Sequence, residues 1–331
     1  MYQPGLGGLI VSAASTAAAG PVVRSWLYRR QSFDLPNERS SHTVPTPRGG
    51  GLACAVGAFG GVVASRFLGG SPSASWIGSS AVLGVVGRAD DVANMKPAPR
   101  LGAQVLVGTI AGARTGGPLG AAVGAVTIPA IVNAFNFMDG INGISGGTAV
   151  AWGAVTASER ALAGRGRTQA AITAGMGLGF LPYNVPRASM FLGDVGSYLL
   201  GSGIAVTVLE SAFTNGRLDL HGASKAGAPL SLYLADTANT IVRRAFRGES
   251  VTEAHREHTY QRLAHETGWP HWAISGLVAG AATLCGLAAR SRFGIAAGAP
   301  IVGLYLASPS LARFAKSRSE SSEWTMMGGA L

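Results

Sequence analysis

Residues 133–147 read NAFNFMDGINGISGG, a polar island between two apolar runs, 119–131 before it and 148–155 after it. Asn133, Asn136, Asp139 and Asn142 recur at steps of three, which on a helix sets them along one face or on the rim of the turn that ends it. Amides and a carboxylate gathered at one depth between apolar segments place this stretch at the mouth of a membrane region, where polar clusters mark sites. An interhelical turn needs Gly and Asn only as turn formers. Four spaced polar groups together with Gly140, Gly143, Gly146 and Gly147 exceed that need.

Composition agrees with a membrane chain. Of the 331 residues 13% are charged and the mean hydropathy is +0.30, whereas a soluble domain carries about 25% charge. The 49 glycines fit close helix packing inside a bilayer, where small residues let backbones approach. A net charge of +10 would suggest nucleic acid in a soluble chain; in an apolar one it is to be tested against the positive-inside rule, and no nucleic-acid partner is expected. Cys54 and Cys285 both lie in apolar runs, far from any CxxC spacing, so they read as small core residues rather than a disulfide or zinc pair.

Outward from the island, the apolar runs number about eleven, each of a length suited to a membrane helix or a short version of one. They are 2–23, 52–68, 75–86, 101–113, 118–135, 144–156, 170–183, 198–213, 226–242, 271–289 and 293–313. The first has its arginines, Arg24, Arg29 and Arg30, after the apolar run, the reverse of a signal peptide. The fold expected is therefore all-α, a single polytopic membrane domain over 1–331, with loops at about 24–51, 88–100, 133–147, 184–197 and 243–270.

Four of those loops carry further chemistry. DLPNERSSHTVPTPRGGG, 34–51, offers Arg39, His42 and Arg48 as anion donors on a stiff backbone, or is a solvated basic loop. Adjacent Asp90 and Asp91 suit a metal ion or acid–base work, unless they are a helix-capping pair; Arg100 and Gln104 follow. In FLGDVGSYLLG, 191–201, Asp194 stands between glycines where it can reach a metal or cap a helix. His255, Arg256, His258 and Arg262 crowd one loop. His255 and His258 could share a helix face toward zinc, but the arginines favour anion binding. Asp236 lies inside the ninth apolar run, where an unpaired carboxylate is costly. It therefore either pairs with Arg243 or Arg244 or faces a polar cavity.

Alternation from a first helix that ends inside puts every one of these clusters on the cytoplasmic side. About 17 of the 26 Lys and Arg fall there too, as the positive-inside rule requires.

Taken in order, DLPNERSSHTVPTPRGGG, the Asp90–Asp91 pair with Gln104 downstream, NAFNFMDGINGISGG, FLGDVGSYLLG and HREHTYQRL resemble the motifs of the polyprenyl-phosphate N-acetylhexosamine-1-phosphate transferases, glycosyltransferase family 4. The likeness runs from Asp34 to Leu263, and the AHREHTYQRL motif is nearest to the O-antigen-initiating branch. Two positions depart from the pattern: Arg88 where an apolar residue usually precedes the Asp pair, and Arg100 where many members carry Lys.

The resemblance implies transfer of N-acetylhexosamine-1-phosphate from a UDP-N-acetylhexosamine to a polyprenyl phosphate, undecaprenyl or decaprenyl, with release of UMP. It implies a multi-pass protein of the bacterial inner membrane, embedded in membrane lipids, active at the cytoplasmic face and initiating a cell-envelope glycan; a homodimer is compatible with it. It assigns Mg²⁺, with Mn²⁺ as a substitute, to Asp194 and Asp91. Catalysis falls to Asp90, Asp91 and Asp194, and substrate binding to Arg48, Arg100, Asn136, Asp139, Asn142, Asn184, Asp236, His255, Arg256 and His258. Two other classes stand against this reading: a transporter, which would place its polar groups at the midplane, and a non-catalytic scaffold of a glycan assembly complex.

Overall fold

The computed structural model describes residues 3–36, 43–250 and 256–328. Helices carry most of the described chain: α1 Gln3–Arg29, α2 Gly51–Phe67, α3 Ala74–Ala93, α4 Pro97–Phe137, α5 Ile144–Ser158, α6 Gly164–Asn184, α7 Gly193–Ser211, α8 Leu220–Gly227, α9 Ser231–Phe246, α10 Thr259–Thr267, α11 His271–Ala288 and α12 Ala299–Gly328. Two antiparallel ribbons of two-residue strands, β1 Phe33–Asp34 with β2 Thr46–Pro47 and β3 Phe213–Thr214 with β4 Arg217–Leu218, trim the loops.

α7 is the axis of the bundle. It is buried on every side, and Tyr198, Leu200, Ile204, Ala205, Val206 and Leu209 on it are fully enclosed. α3 and α4 pack along one side of it and α6 along another, while α1 and α2 pair with each other and with α6, and α5 lies between α6 and α11. Phe59, Phe67, Val85, Val126 and Leu304 stay exposed, as expected of surface that meets lipid rather than water. Four stretches are long and apolar enough to cross a bilayer: Gly5–Arg29, Pro97–Phe137, His271–Ala288 and Gly294–Arg318. The chain is an all-α membrane protein.

The fourth and fifth apolar runs form one hairpin. α4 leaves helical geometry at Gly116 and Gly117, the latter at φ +61°, and Pro118 opens the returning arm. The arms touch backbone to backbone, because a methyl group at Gly108 or Gly112 would run into the carbonyls of Gly124 or Gly120. Nearer the open end, Asn133 Nδ2 donates to Gln104 Oε1 at 2.6 Å and Gln104 Nε2 to Asn133 Oδ1 at 3.3 Å. This reciprocal amide pair satisfies both side chains across the arms.

The ninth run departs from the expected single span. α8 ends at Gly227, Ala228–Leu230 form a 3₁₀ turn around Pro229, and α9 restarts at Ser231. The 16 residues of α9 reach only about 24 Å, and they bury Asp236, Thr237, Thr240 and Arg244 along one face. α3, expected to end near Val86, continues to Ala93 and carries the aspartate pair on its last turns.

Candidate active site at the ends of α3, α4 and α7

Asp91 organises the site from α3. Its Oδ1 accepts from the backbone N–H of Asp194 at 2.8 Å and its Oδ2 from that of Val195 at 3.0 Å. A carboxylate from one helix thus caps the positive N-terminus of α7. The contact depends on glycine at both places: Gly193 sits at φ +72°, and a Cβ there would lie 2.9 Å from each Asp91 oxygen, while any side chain at Gly87 would clash with the Asp194 carbonyl.

Arg48 crosses between the two acids. Its Nε donates to Asp91 Oδ1 at 3.0 Å and its Nη2 to Asp194 Oδ2 at 2.8 Å. Burial alone would weaken the hold of this guanidinium on its proton, but the charges of Asp194 and Asp91 more than offset that, and the group stays charged. From the last turn of α4, Asn136 Nδ2 donates to Asp194 Oδ1 at 2.8 Å and to Ser197 Oγ at 3.0 Å. Asp90 turns the other way: Arg100 Nη1 meets its Oδ2 at 2.5 Å, the Met95 N–H its Oδ1 at 2.9 Å, and the Tyr198 hydroxyl lies 3.5 Å from Oδ2. Three carboxylates therefore share two guanidiniums at the ends of three helices, leaving excess negative charge. Of the three side chains, Asp91 is 0% and Asp90 4% exposed, whereas Asp194 is 14% exposed and is the carboxylate a ligand can reach.

Asp139 occupies the turn between α4 and α5. Burial pushes its carboxyl up to about 7, the charge of Asp194 adds to the shift, and Arg48 opposes it. Asn142 of the polar island and Asn184 at the end of α6 both tie this turn to its neighbours. Asn142 accepts from Ser275 Oγ of α11 through its backbone carbonyl at 2.8 Å, while its side-chain Nδ2 lies 3.5 Å from the Pro186 carbonyl. Asn184 Oδ1 accepts from the Gly143 N–H at 2.5 Å and its Nδ2 donates to the Met190 carbonyl at 3.2 Å. Only Asn136 and Asp139 of the four evenly spaced residues belong to the acidic site.

Asp236 faces neither Arg243 nor Arg244, and the polar cavity expected of it is a closed socket. Its oxygens accept from the Thr259 N–H at 2.9 and 3.0 Å, from Thr259 Oγ1 at 3.1 Å and from the Tyr305 hydroxyl at 2.6 Å, with His258 Nδ1 at 3.4 Å. Fully enclosed, the carboxylate has no face left for a substrate. It fixes the start of α10 to α9 and α12. His258, also buried, caps α10 and stacks on Tyr260 with ring centroids 5.8 Å apart. Tyr260 and Gln261 in turn pack on Gly140, beside Asp139. Arg256 is exposed at the rim of this unit, and His255 lies outside the described residues, as do Arg39 and His42. Sequence reasoning missed Tyr305, which sits in the last helix, beyond every recognisable motif.

Among the described residues no three His, Cys, Asp or Glu side chains converge as a metal-binding set. The donors present still suit a hard cation that takes one or two carboxylates and completes its shell with substrate oxygens. Each Asp194 oxygen accepts a single strong hydrogen bond, so lone pairs remain. Asp91, expected as a second ligand, spends both oxygens on α7 and Arg48.

Residues 73–212, which contain the aspartate pair, the polar island and Asp194, match the model of "Glycosyl transferase family 4". Over 307 residues the chain is 28% identical to the decaprenyl-phosphate N-acetylglucosaminephosphotransferase of Mycobacterium tuberculosis, covering 77% of this chain and 74% of the relative. It is 26% identical over 279 residues to the probable undecaprenyl-phosphate N-acetylglucosaminyl 1-phosphate transferase of Bacillus subtilis, covering 77% and 75%. A 72-residue stretch is 40% identical to the undecaprenyl-phosphate alpha-N-acetylglucosaminyl 1-phosphate transferase of Thermotoga maritima, covering 22% and 21%. The helix ends that gather Asp90, Asp91, Asn136 and Asp194 all lie inside the matched stretch, so the likeness to glycosyl transferase family 4 falls on the residues that build the acidic site.

Proposed function

We propose that the protein transfers N-acetylhexosamine-1-phosphate from a UDP-sugar to polyprenyl phosphate and releases UMP. One observation carries this reading: Arg48, Asp91, Asn136 and Asp194, from four separate segments, meet in one hydrogen-bonded cluster at helix ends. A membrane lipid phosphate and a water-soluble nucleotide can meet only at such a level. The relatives, named for decaprenyl and undecaprenyl phosphate, support the lipid acceptor. The distribution of Lys and Arg supports a site on the cytoplasmic face of a bacterial inner membrane.

In the reaction an oxygen of the lipid phosphate attacks the β-phosphorus of the UDP-sugar, and the bond from that phosphorus to the bridging oxygen breaks. UMP leaves, and the sugar stays on the transferred phosphorus. The lipid phosphate, with a second pKa near ~6, is largely dianionic at neutral pH and needs little help from a base. Catalysis is therefore mostly positioning and charge neutralisation. Asp194 would hold Mg²⁺, and the ion would supply screening of the phosphate charges and polarisation of their oxygens. Asp91 fixes α7 so that Asp194 points outward, Asn136 sets the angle of its carboxylate, and Arg48 balances both acids. Arg100, held by Asp90, and Arg256 at the rim supply cations for phosphate oxygens.

The test is UMP release by the purified protein from UDP-GlcNAc, UDP-GalNAc and their deoxy derivatives with polyprenyl phosphate and Mg²⁺. Release from one of these that requires both the lipid and the metal supports the reading. No release from any of them, by protein shown to be folded, contradicts it.

A further inference from the structure

At the far ends of the helices lies a second charged cleft. α5 begins at Ile144 beside the acidic site and ends at Ser158, and α11 begins at His271, whose Nδ1 faces the Asn142 N–H, and ends at Ala288. Their 15 and 18 residues span roughly 22 and 27 Å, close to the ~30 Å of a bilayer core. Between those far ends opens a cleft of about 450 Å³ lined by Ser158, Glu159, Arg160, Lys225 and Arg290.

Its charges do not balance internally. Arg290 takes Glu159 Oε2 at 3.3 Å and donates to Ser158 Oγ at 2.7 Å, so the single carboxylate already has its partner. Lys225 is 7% exposed, its ammonium stands 4.0 Å from the same oxygen, and it makes no hydrogen bond among the described residues. Arg160 is exposed and makes neither hydrogen bond nor ion pair among the described residues. Three cations against one carboxylate leave a net charge of about +2, and a buried ammonium whose one carboxylate neighbour, at 4.0 Å, lies beyond hydrogen-bond reach calls for a closer anion. Next to Arg290 the surface is apolar: Leu284, Leu287, Phe293 and Ile295 are all exposed. An anion site bordered by such a surface suits a molecule with a phosphate at one end and acyl chains at the other.

We propose that this cleft binds the phosphate of an anionic phospholipid in the leaflet opposite the acidic site, with Lys225, Arg160 and Arg290 as its contacts and the chains lying along the end of α11. The binding stands independently of the transferase reading.

The full-length protein, purified in detergent and stripped of lipid, is titrated with phosphatidylglycerol or phosphatidylcholine and bound lipid is counted by native mass spectrometry. Phosphatidylglycerol is expected to bind saturably and in preference to phosphatidylcholine. Lys225→Gln or Arg160→Gln should each weaken it about fivefold, the worth of one cation at a headgroup, and Arg217→Gln, outside the cleft, should leave it unchanged. Arg160 is exposed, so its variant keeps the test decisive even where Lys225→Gln fails to fold. Equal retention of both lipids, or unchanged affinity in Arg160→Gln, overturns the proposal. Displacement of phosphatidylglycerol by millimolar inorganic phosphate overturns it too, because the cleft would then be a site for soluble anions.

Discussion

Asp194 and Asp91 look alike in sequence but differ in what surrounds them. Asp194 is reachable, whereas Asp91 is enclosed against the α7 amides. Asp194→Asn should therefore abolish Mg²⁺-dependent turnover while the protein keeps its melting temperature; near wild-type turnover at saturating Mg²⁺ would remove Asp194 from the metal site. Asp91→Asn should cost turnover by at least ~10² and lower stability as well, since an amide cannot accept from both N–H groups without turning its NH₂ toward one of them. Asp139 sets a pH dependence. Its folded-state carboxyl titrates at about 7, above the ordinary carboxylate range, so the folded state favours the neutral form. The stability this group contributes is full below the ordinary range and is lost as pH rises through about 7. Metal-free protein should therefore melt at lower temperature at pH 8 than at pH 5, with the slope flattened in Asp139→Asn; an unchanged slope assigns the titration to other groups. Spacing singled these residues out, but it left a helix-capping or turn alternative for each acid, and the roles came from the family resemblance. Which oxygens point outward was not legible, since that depends on an arginine 43 residues away from Asp91 in the chain.

At the scale of elements, steps of three in NAFNFMDGIN suggested one polar face or the rim of the turn that ends it, and the structure gives the four residues separate partners. Asn133 closes the α4 hairpin with Gln104, Asn136 reaches Asp194, and Asn142 braces α11 through its backbone carbonyl. Periodicity reports the direction of a side chain but not its partner. The same limit explains Asp236. Its position within an apolar run showed that it needed partners, and the partners are the α10 N-terminus and Tyr305 from α12, contacts over 23 and 69 residues that no local pattern encodes. Asp236→Asn should lower the melting temperature markedly, as expected for removing a hydrogen-bonded buried charge, worth about 1.5–3 kcal/mol per bond. Tyr305→Phe should lower it less and weaken use of the UDP-sugar through the displaced α10 start. Lost turnover at unchanged melting temperature in Asp236→Asn would instead make this residue part of the reacting site.

Across the whole molecule, the helical fold followed from hydropathy, because backbone groups inside a bilayer must satisfy themselves. The broken ninth segment did not, although Pro229 marked the place. With Arg48, Asp91, Asp139 and Asp194 at one set of helix ends and Lys225 and Arg290 at the other, the topology makes a direct statement. Cysteines placed beside Asp91, Asp139 and Asp194 should react with a membrane-impermeant thiol reagent only from the cytoplasmic side, and one beside Arg160 only from outside. A single reversed label breaks that arrangement.

The central claim is transfer of a sugar together with its phosphate, and the identity of the nucleotide released tests it most directly. Protein incubated with a UDP-N-acetylhexosamine, polyprenyl phosphate and Mg²⁺ should yield UMP and a lipid heavier by one sugar phosphate, and Asp194→Asn should yield neither. Release of UDP, with a lipid heavier by the sugar alone, would contradict it.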